Sequence, residues 1–112
     1  MCDILFAKVV KARDNYRCVR CGRGDPLDCA HNIRRWYLRT RWELDNAWAL
    51  CRPCHRLVDH DAAAKAELIA QTIGEERNEE LVALSRPTSG PLPDRPQIRA
   101  VLRQMLRDFQ VA

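Results

Sequence analysis

A small α+β domain gathered at a four-cysteine metal site is the fold class the sequence predicts, on three observations. Two CxxC pairs, Cys18-Val19-Arg20-Cys21 and Cys51-Arg52-Pro53-Cys54, bracket a segment with strand-like patterning. Apolar residues at helical spacing precede the first pair and follow the second. The chain of 112 residues suffices for one domain but not for a generous core, a shortage that a structural metal would offset.

The elements follow in chain order. Ile4, Leu5, Val9, Val10 and Ala12, with charges between them, predict a short amphipathic helix over residues 3–15 that Asp14-Asn15 ends. Gly22 and Gly24-Asp25-Pro26 mark turns of the kind that follow a cysteine knuckle, where backbone amides approach sulfur. Leu27 to Ile33 and Ala47 to Leu50 read as partner strands, with the arginine-rich stretch 34–45 as the excursion between them. After Pro53, the residues Leu57, Val58, Ala62, Ala66, Ile69, Ala70 and Ile73 predict one continuous helix with Gly74 as its stop.

Glu75 to Ser85 continues helical, and the run Pro87-Thr88-Ser89-Gly90-Pro91-Leu92-Pro93 interrupts it, so residues 86–96 read as a linker. From Gln97 to Gln110, Ile98, Val101, Leu102, Met105, Leu106 and Phe109 form an apolar stripe opposite Arg99, Arg103 and Arg107. That stripe must be covered, either by the metal domain or by the same helix of a second copy, so a homodimer is one expectation. The organisation expected is a zinc-stabilised domain with flanking helices at 1–74 and a helical C-terminal extension at 75–112.

Six cysteines in a short chain admit a disulfide framework or a redox CxxC as well as a metal site. Asp3, Lys8 and Lys11 interrupt the apolar N-terminal residues, unlike a signal peptide, and no apolar run reaches bilayer length. A cytosolic, membrane-free location follows as the expectation, and a reducing compartment favours metal. Cys18, Cys21, Cys51 and Cys54 are thus expected to hold one tetrahedral zinc, while Cys2 and Cys29 read as packed free thiols.

Net charge is +4, concentrated in the cysteine half: residues 1–60 hold twelve Lys and Arg against seven Asp and Glu. Sixteen of the nineteen basic residues are arginine, whose planar fork suits phosphate, so nucleic acid is the partner indicated. In the run Arg34-Arg35-Trp36-Tyr37-Leu38-Arg39-Thr40-Arg41-Trp42, the four arginines are candidate DNA contacts and an aromatic could stack on an unpaired base. Trp36, Trp42 and Trp48 could equally fill the small core.

Between and beside the cysteines stand His31, Asn46, His55 and Asp59. Phosphodiester hydrolysis needs a base for the attacking water and a cation for the charge that develops on the phosphate. His31 suits the first task; His55 and Asp59, one helical turn apart, could ligate a cation together. Asn46 would most simply be a strut for the loop that aims His31, though it could also touch the metal. Each has a plainer reading: a structural or zinc-binding histidine for His31 and His55, a turn residue for Asn46, a solvated charge for Asp59.

The pattern Cys18, Cys21, His31, Asn46, Cys51, Cys54 and His55 resembles the HNH endonucleases, the ββα-metal nucleases with a treble-clef-like core, in their four-cysteine zinc form. The resemblance spans about residues 15 to 62. Within that family, Cys29-Ala30-His31-Asn32-Ile33-Arg34-Arg35, Thr40-Arg41-Trp42 and Asp45-Asn46 are similar to the phage NinG/Rap recombination nucleases, as is the later Ile73-Gly74-Glu75-Glu76-Arg77 with Leu81. It implies a metal-dependent DNA endonuclease with a catalytic Mg²⁺, Mn²⁺ or Ni²⁺ that leaves 5′-phosphate and 3′-hydroxyl ends. It further implies branched or recombining DNA as substrate, in a phage or prophage setting within a bacterial host. One departure stands out: many members place an Asp or His ligand directly before the catalytic histidine, where this chain has Ala30. Asp28, His60 and Asp61 are the reserve ligands, and a non-catalytic zinc-dependent DNA-binding module is the alternative function.

Overall fold

In the computed structural model, which describes residues 1–111, helix α1 (Cys2–Arg13) leads into the first cysteine knuckle. Its inward face carries Leu5, Phe6, Val9 and Val10, all buried. Arg13 anchors the helix end, donating to the backbone carbonyls of Leu44 and Ala47, while the Asp14 carboxylate accepts the Ala49 N–H at 2.9 Å. Asn15 and Tyr16 then turn the chain with positive φ, which stops the helix where the sequence indicates.

The knuckle closes with Gly22 at φ +81°, its N–H donated to the Cys18 carbonyl at 2.8 Å. That backbone conformation strains any residue with a Cβ, so glycine is required there. Strand β1 (Asp28–His31) pairs antiparallel with β2 (Ala47–Leu50), with Ala30 opposite Trp48 and His31 opposite Ala47. Pairing stops short of the Leu27–Ile33 span expected because Asn32 and Ile33 are already engaged by Asn46, at the end of a 3₁₀ turn over Leu44–Asn46.

After β2 the chain enters α2 (Arg52–His60), which begins within the second knuckle with Pro53 in its first turn, where a missing N–H costs nothing. The single helix expected from Pro53 to Gly74 is in fact two. Asp61 adopts an extended conformation and its side chain accepts from Ala63 N and Ala64 N, so it ends α2 and caps α3 (Ala62–Thr72). An unbroken apolar periodicity concealed this break, because an aspartate fits a helix interior and an N-cap alike. Gly74, at φ +83°, stops α3 and starts α4 (Glu75–Ser85).

Two apolar clusters form the core. One surrounds the cysteines and unites Trp48, Leu50, Val58, Leu68 and Ile69 across the sheet, α2 and α3. The other lies on the opposite sheet face, where α1 meets α5 (Arg95–Val111): Leu102 is buried against Leu5, Phe6, Val9 and Val10, flanked by Ile98, Met105 and Leu106. Of the apolar stripe of the last helix, Ile98, Leu102, Met105 and Leu106 are thus packed against α1 of its own chain, while Val101 and Phe109 remain exposed. At about 25 cal/mol per Å² of apolar area, such a face contributes several kcal/mol and holds the helix down despite the proline-rich approach. Helix α4 is pinned near the strands by Arg77 to Asp45 at 2.9 Å, by Asn32 to Asn78 at 2.6 Å and by fully buried Leu81. Among the described residues, no helix is long and apolar enough to cross a membrane.

Candidate functional site

The sulfur atoms of Cys18, Cys21, Cys51 and Cys54 all lie within 4.8 Å of one another, with Cys21 Sγ 3.6 Å from Cys51 Sγ. A tetrahedral zinc with bonds near 2.3 Å sets its sulfurs roughly 3.8 Å apart, so the cluster has the dimensions to hold such an ion. Its electrostatics agree. Burial opposes ionisation of Cys18, yet the N–H groups of Cys51, Cys21 and Arg20 outweigh it and bring the thiol down to about 6. Burial first, and then the neighbouring thiols of Cys51, Cys18 and Cys21, push Cys54 up to about 12, against the help of Arg20. Thiolates packed this closely need a cation among them. The four cysteines could thus hold a structural metal such as zinc, which would fasten the approach to β1 to the β2–α2 junction.

His31 ends β1, its ring stacked on Phe6 at 5.5 Å. Nε2 lies 2.9 Å from the carbonyl oxygen of Arg41. A carbonyl only accepts, so Nε2 carries the proton and Nδ1 keeps its lone pair. Nδ1 is also the one buried side-chain nitrogen or oxygen without a hydrogen-bond partner among the described residues. Burial, with the Arg35 and Arg41 charges adding to it, lowers the His31 pKa below 6.5 against the pull of the Arg41 carbonyl. The imidazole is thereby neutral at physiological pH.

Asn46 supplies the frame for this arrangement. Fully buried, its Oδ1 accepts the Ile33 N–H at 2.8 Å, and its Nδ2 donates to the carbonyls of Ile33 at 3.1 Å and Thr40 at 3.0 Å. The amide thus ties the exit of β1 to the residue preceding Arg41, whose carbonyl holds His31. Asn46 thus bonds backbone groups alone and is not among the residues that line the cavity containing His31. A further support went unread in the sequence: Asp3 of α1 grips Arg41 with both oxygens, at 2.9 and 2.6 Å, and accepts from Trp42 Nε1. Led by the Arg41 hydrogen bonds, these contacts hold the Asp3 carboxyl down to about 2.

His55, on the first turns of α2, lies between two carboxylates. Its Nδ1 is 3.0 Å from Asp28 Oδ2, and its Nε2 is 3.4 Å from Asp59 Oδ2. Asp28 also binds Arg52, and chiefly for that reason its pKa is lowered, so it presents a charged acceptor to His55. Nδ1–H donated to Asp28 leaves the Nε2 lone pair beside Asp59, the arrangement in which a carboxylate orients a metal-binding imidazole. Nε2 and Asp59 Oδ2, 3.4 Å apart and one helical turn from each other, are the two atoms here that could share a cation. Of the reserve ligands, Asp28 joins the site in this orienting position; Asp61 is engaged as the α3 cap, and His60 closes α2 away from the cavity.

One open cavity of about 520 Å³ gathers His31, His55 and Asp59. Arg34, Arg35, Arg41 and Lys65 line it as well, with Trp36 on its rim. Arg41 and Arg35 both pair with Asp3, at 2.6 and 3.3 Å, whereas Arg34 stacks over the Trp36 ring at 5.3 Å. Arg39 does not reach this cavity; its Nε donates to the Gly90 carbonyl at 2.8 Å and holds the proline-rich segment. Ala30, opposite Trp48, is buried in the cysteine cluster and offers no ligand.

No family model, curated relative or solved structure matches the chain.

Proposed function

We propose that the chain is a metal-dependent DNA endonuclease of the HNH kind, in which His31 is the general base. The observation that carries this reading is that His31 lines one cavity together with His55 and Asp59, its proton assigned to Nε2 by the Arg41 carbonyl and its buried Nδ1 left to accept. A buried donor or acceptor left unpaired costs about 1–3 kcal/mol, and a base that must accept a proton from water is a function that keeps one so.

In this reading a water admitted beside the buried Nδ1 would give a proton to His31 as its oxygen bonds to phosphorus; the bond from phosphorus to the 3′ oxygen would break in line, and that oxygen would take a proton from solvent, leaving 5′-phosphate and 3′-hydroxyl ends. His55 and Asp59 would hold the divalent cation, Mg²⁺, Mn²⁺ or Ni²⁺, and Asp28 would orient His55. Bound there, the cation would supply charge stabilisation to the phosphate and leaving oxygens. Arg34 and Arg35 would hold phosphates beside the cut, and Asn46 would fix the loop that aims the base. The cysteine cluster would carry structural zinc. Branched or recombining DNA, as in a phage or prophage, would be the substrate, a view supported by the exposed Trp36 at the cavity rim.

A non-catalytic zinc-dependent DNA-binding module is favoured by one observation, the buried Ala30 that leaves only His55 and Asp59 beside the proposed cation. Cleavage separates the two readings. His31→Ala should abolish nicking while leaving DNA affinity and zinc content intact. Absence of cleavage by the unmutated protein with Mg²⁺, Mn²⁺ or Ni²⁺ on linear, single-stranded and branched DNA would leave the binding module standing.

A further inference from the structure

A second open cavity, of about 550 Å³, meets the first at His55 and Asp59 and shares no other lining residue with it. Its wall is not arginine-rich loop but helix: Lys11 of α1, and Arg52 and Arg56 of α2, beside Asp28 and Cys29. Arg52 is held by Asp28, at 2.8 Å from Nε. Lys11 and Arg56, by contrast, have no ion pair or side-chain hydrogen bond among the described residues, although they converge from different helices on one hollow. The two cavities thus adjoin at the His55–Asp59 pair, and each is lined by basic residues of its own. A single phosphate would need only one cavity. A polyanion that runs past the pair needs both.

We propose that Lys11 and Arg56 are a second phosphate-binding site, which holds the nucleic-acid backbone on the side of His55 and Asp59 away from Arg34 and Arg35. This deepens the endonuclease reading and rests on it for the position of the cut. It makes the substrate a strand continuous on both sides of the scissile bond, with at least one phosphate seated on the helical wall. The flexible lysine stem and the exposed arginine fork reach phosphate oxygens without displacing the Asp28–Arg52–His55 contacts that orient the histidine.

The test is DNA binding without divalent cation, which reads the surface whether or not turnover occurs. For a duplex oligonucleotide, the slope of log affinity against log salt should become shallower by about 1.8 in Lys11→Gln/Arg56→Gln, as expected for two lost phosphate contacts. Lys11→Arg alone should keep the slope of the unmutated protein. Zinc content and helical signal report folding, and the slope comparison holds only where both are retained; if the double variant loses them, Arg56→Gln alone takes its place, with an expected change of about 0.9. An unchanged slope in a folded variant would overturn the site. Failure of the unmutated protein to cleave would overturn the nuclease reading instead, and the slope would still decide whether Lys11 and Arg56 hold phosphate.

Discussion

The carbonyl oxygen of Arg41 lies 2.9 Å from Nε2 of His31 and thereby decides which nitrogen of the ring is basic. Nothing in the residue types at 31 and 41 announces this, because the acceptor is backbone. It follows from the fold: β1 delivers the ring and the buried Asn46 amide brings the loop back across it.

For the proposed nuclease, a pH dependence of cleavage follows from that contact. Burial lowers the His31 pKa below 6.5, so the neutral, proton-accepting form persists to more acidic pH than for a free imidazole. Protonation of Nδ1 removes the base. At saturating cation, the rate should therefore rise with pH on the acid side of 6.5 and be level by neutral pH, with the rising limb gone in His31→Ala. A rising limb centred above 6.5 would place the base elsewhere.

Asp28 is expected to act on the cation through His55. Removing it in Asp28→Ala frees the imidazole to rotate and exchange tautomers, which typically weakens metal affinity roughly 10- to 100-fold. The cation concentration giving half-maximal cleavage should rise by about that factor, with the rate at saturating cation largely recovered. Asp28→Asn retains an acceptor for Nδ1–H and should lose less. A loss that no concentration of cation repairs would assign Asp28 to substrate or to folding.

Zinc and folding should be lost together. With four cysteine sulfurs within 4.8 Å, Cys51→Ser would remove one of the four candidate ligands, the one at the junction of β2 and α2. The core around Trp48 and Val58 packs on those same cysteines, so helical signal and bound zinc should fall in parallel. One zinc per chain retained in that variant would show that another residue completes the shell.

Asn46 also marks how far the sequence could be read. The cysteine spacing located the four-cysteine cluster that could hold a metal, because paired cysteines at knuckle spacing have few other uses, and the strand and helix periods located β2, α1 and α5. The three partners of the Asn46 amide are backbone atoms 6 and 13 residues away, which no spacing of residue types announces. The Asp61 break and the Asp3 grip on Arg41 and Trp42 were not legible, since both depend on where an ordinary surface aspartate happens to be carried. Asn46→Ala should destabilise the domain by about 1–3 kcal/mol for the orphaned Ile33 N–H alone, measurable by thermal unfolding. A near-neutral effect would show that water replaces the amide.

The three tryptophans differ in a way that bears on substrate. Trp48 is buried with its indole N–H on Thr72, and Trp42 is held between Arg41, Arg95 and Asp3. Trp36 alone remains 65% exposed, on the rim of the cavity that contains His31, with Arg34 over its ring. A large exposed aromatic beside a basic hollow is suited to stacking on a base that has no partner strand. Trp36→Ala should therefore reduce cleavage and binding of DNA with unpaired nucleotides roughly 10- to 100-fold, the worth of one base–aromatic stack, and leave fully paired duplex unaffected. An equal loss on both substrates would make Trp36 a general backbone contact and remove its support for branched DNA as the proposed substrate.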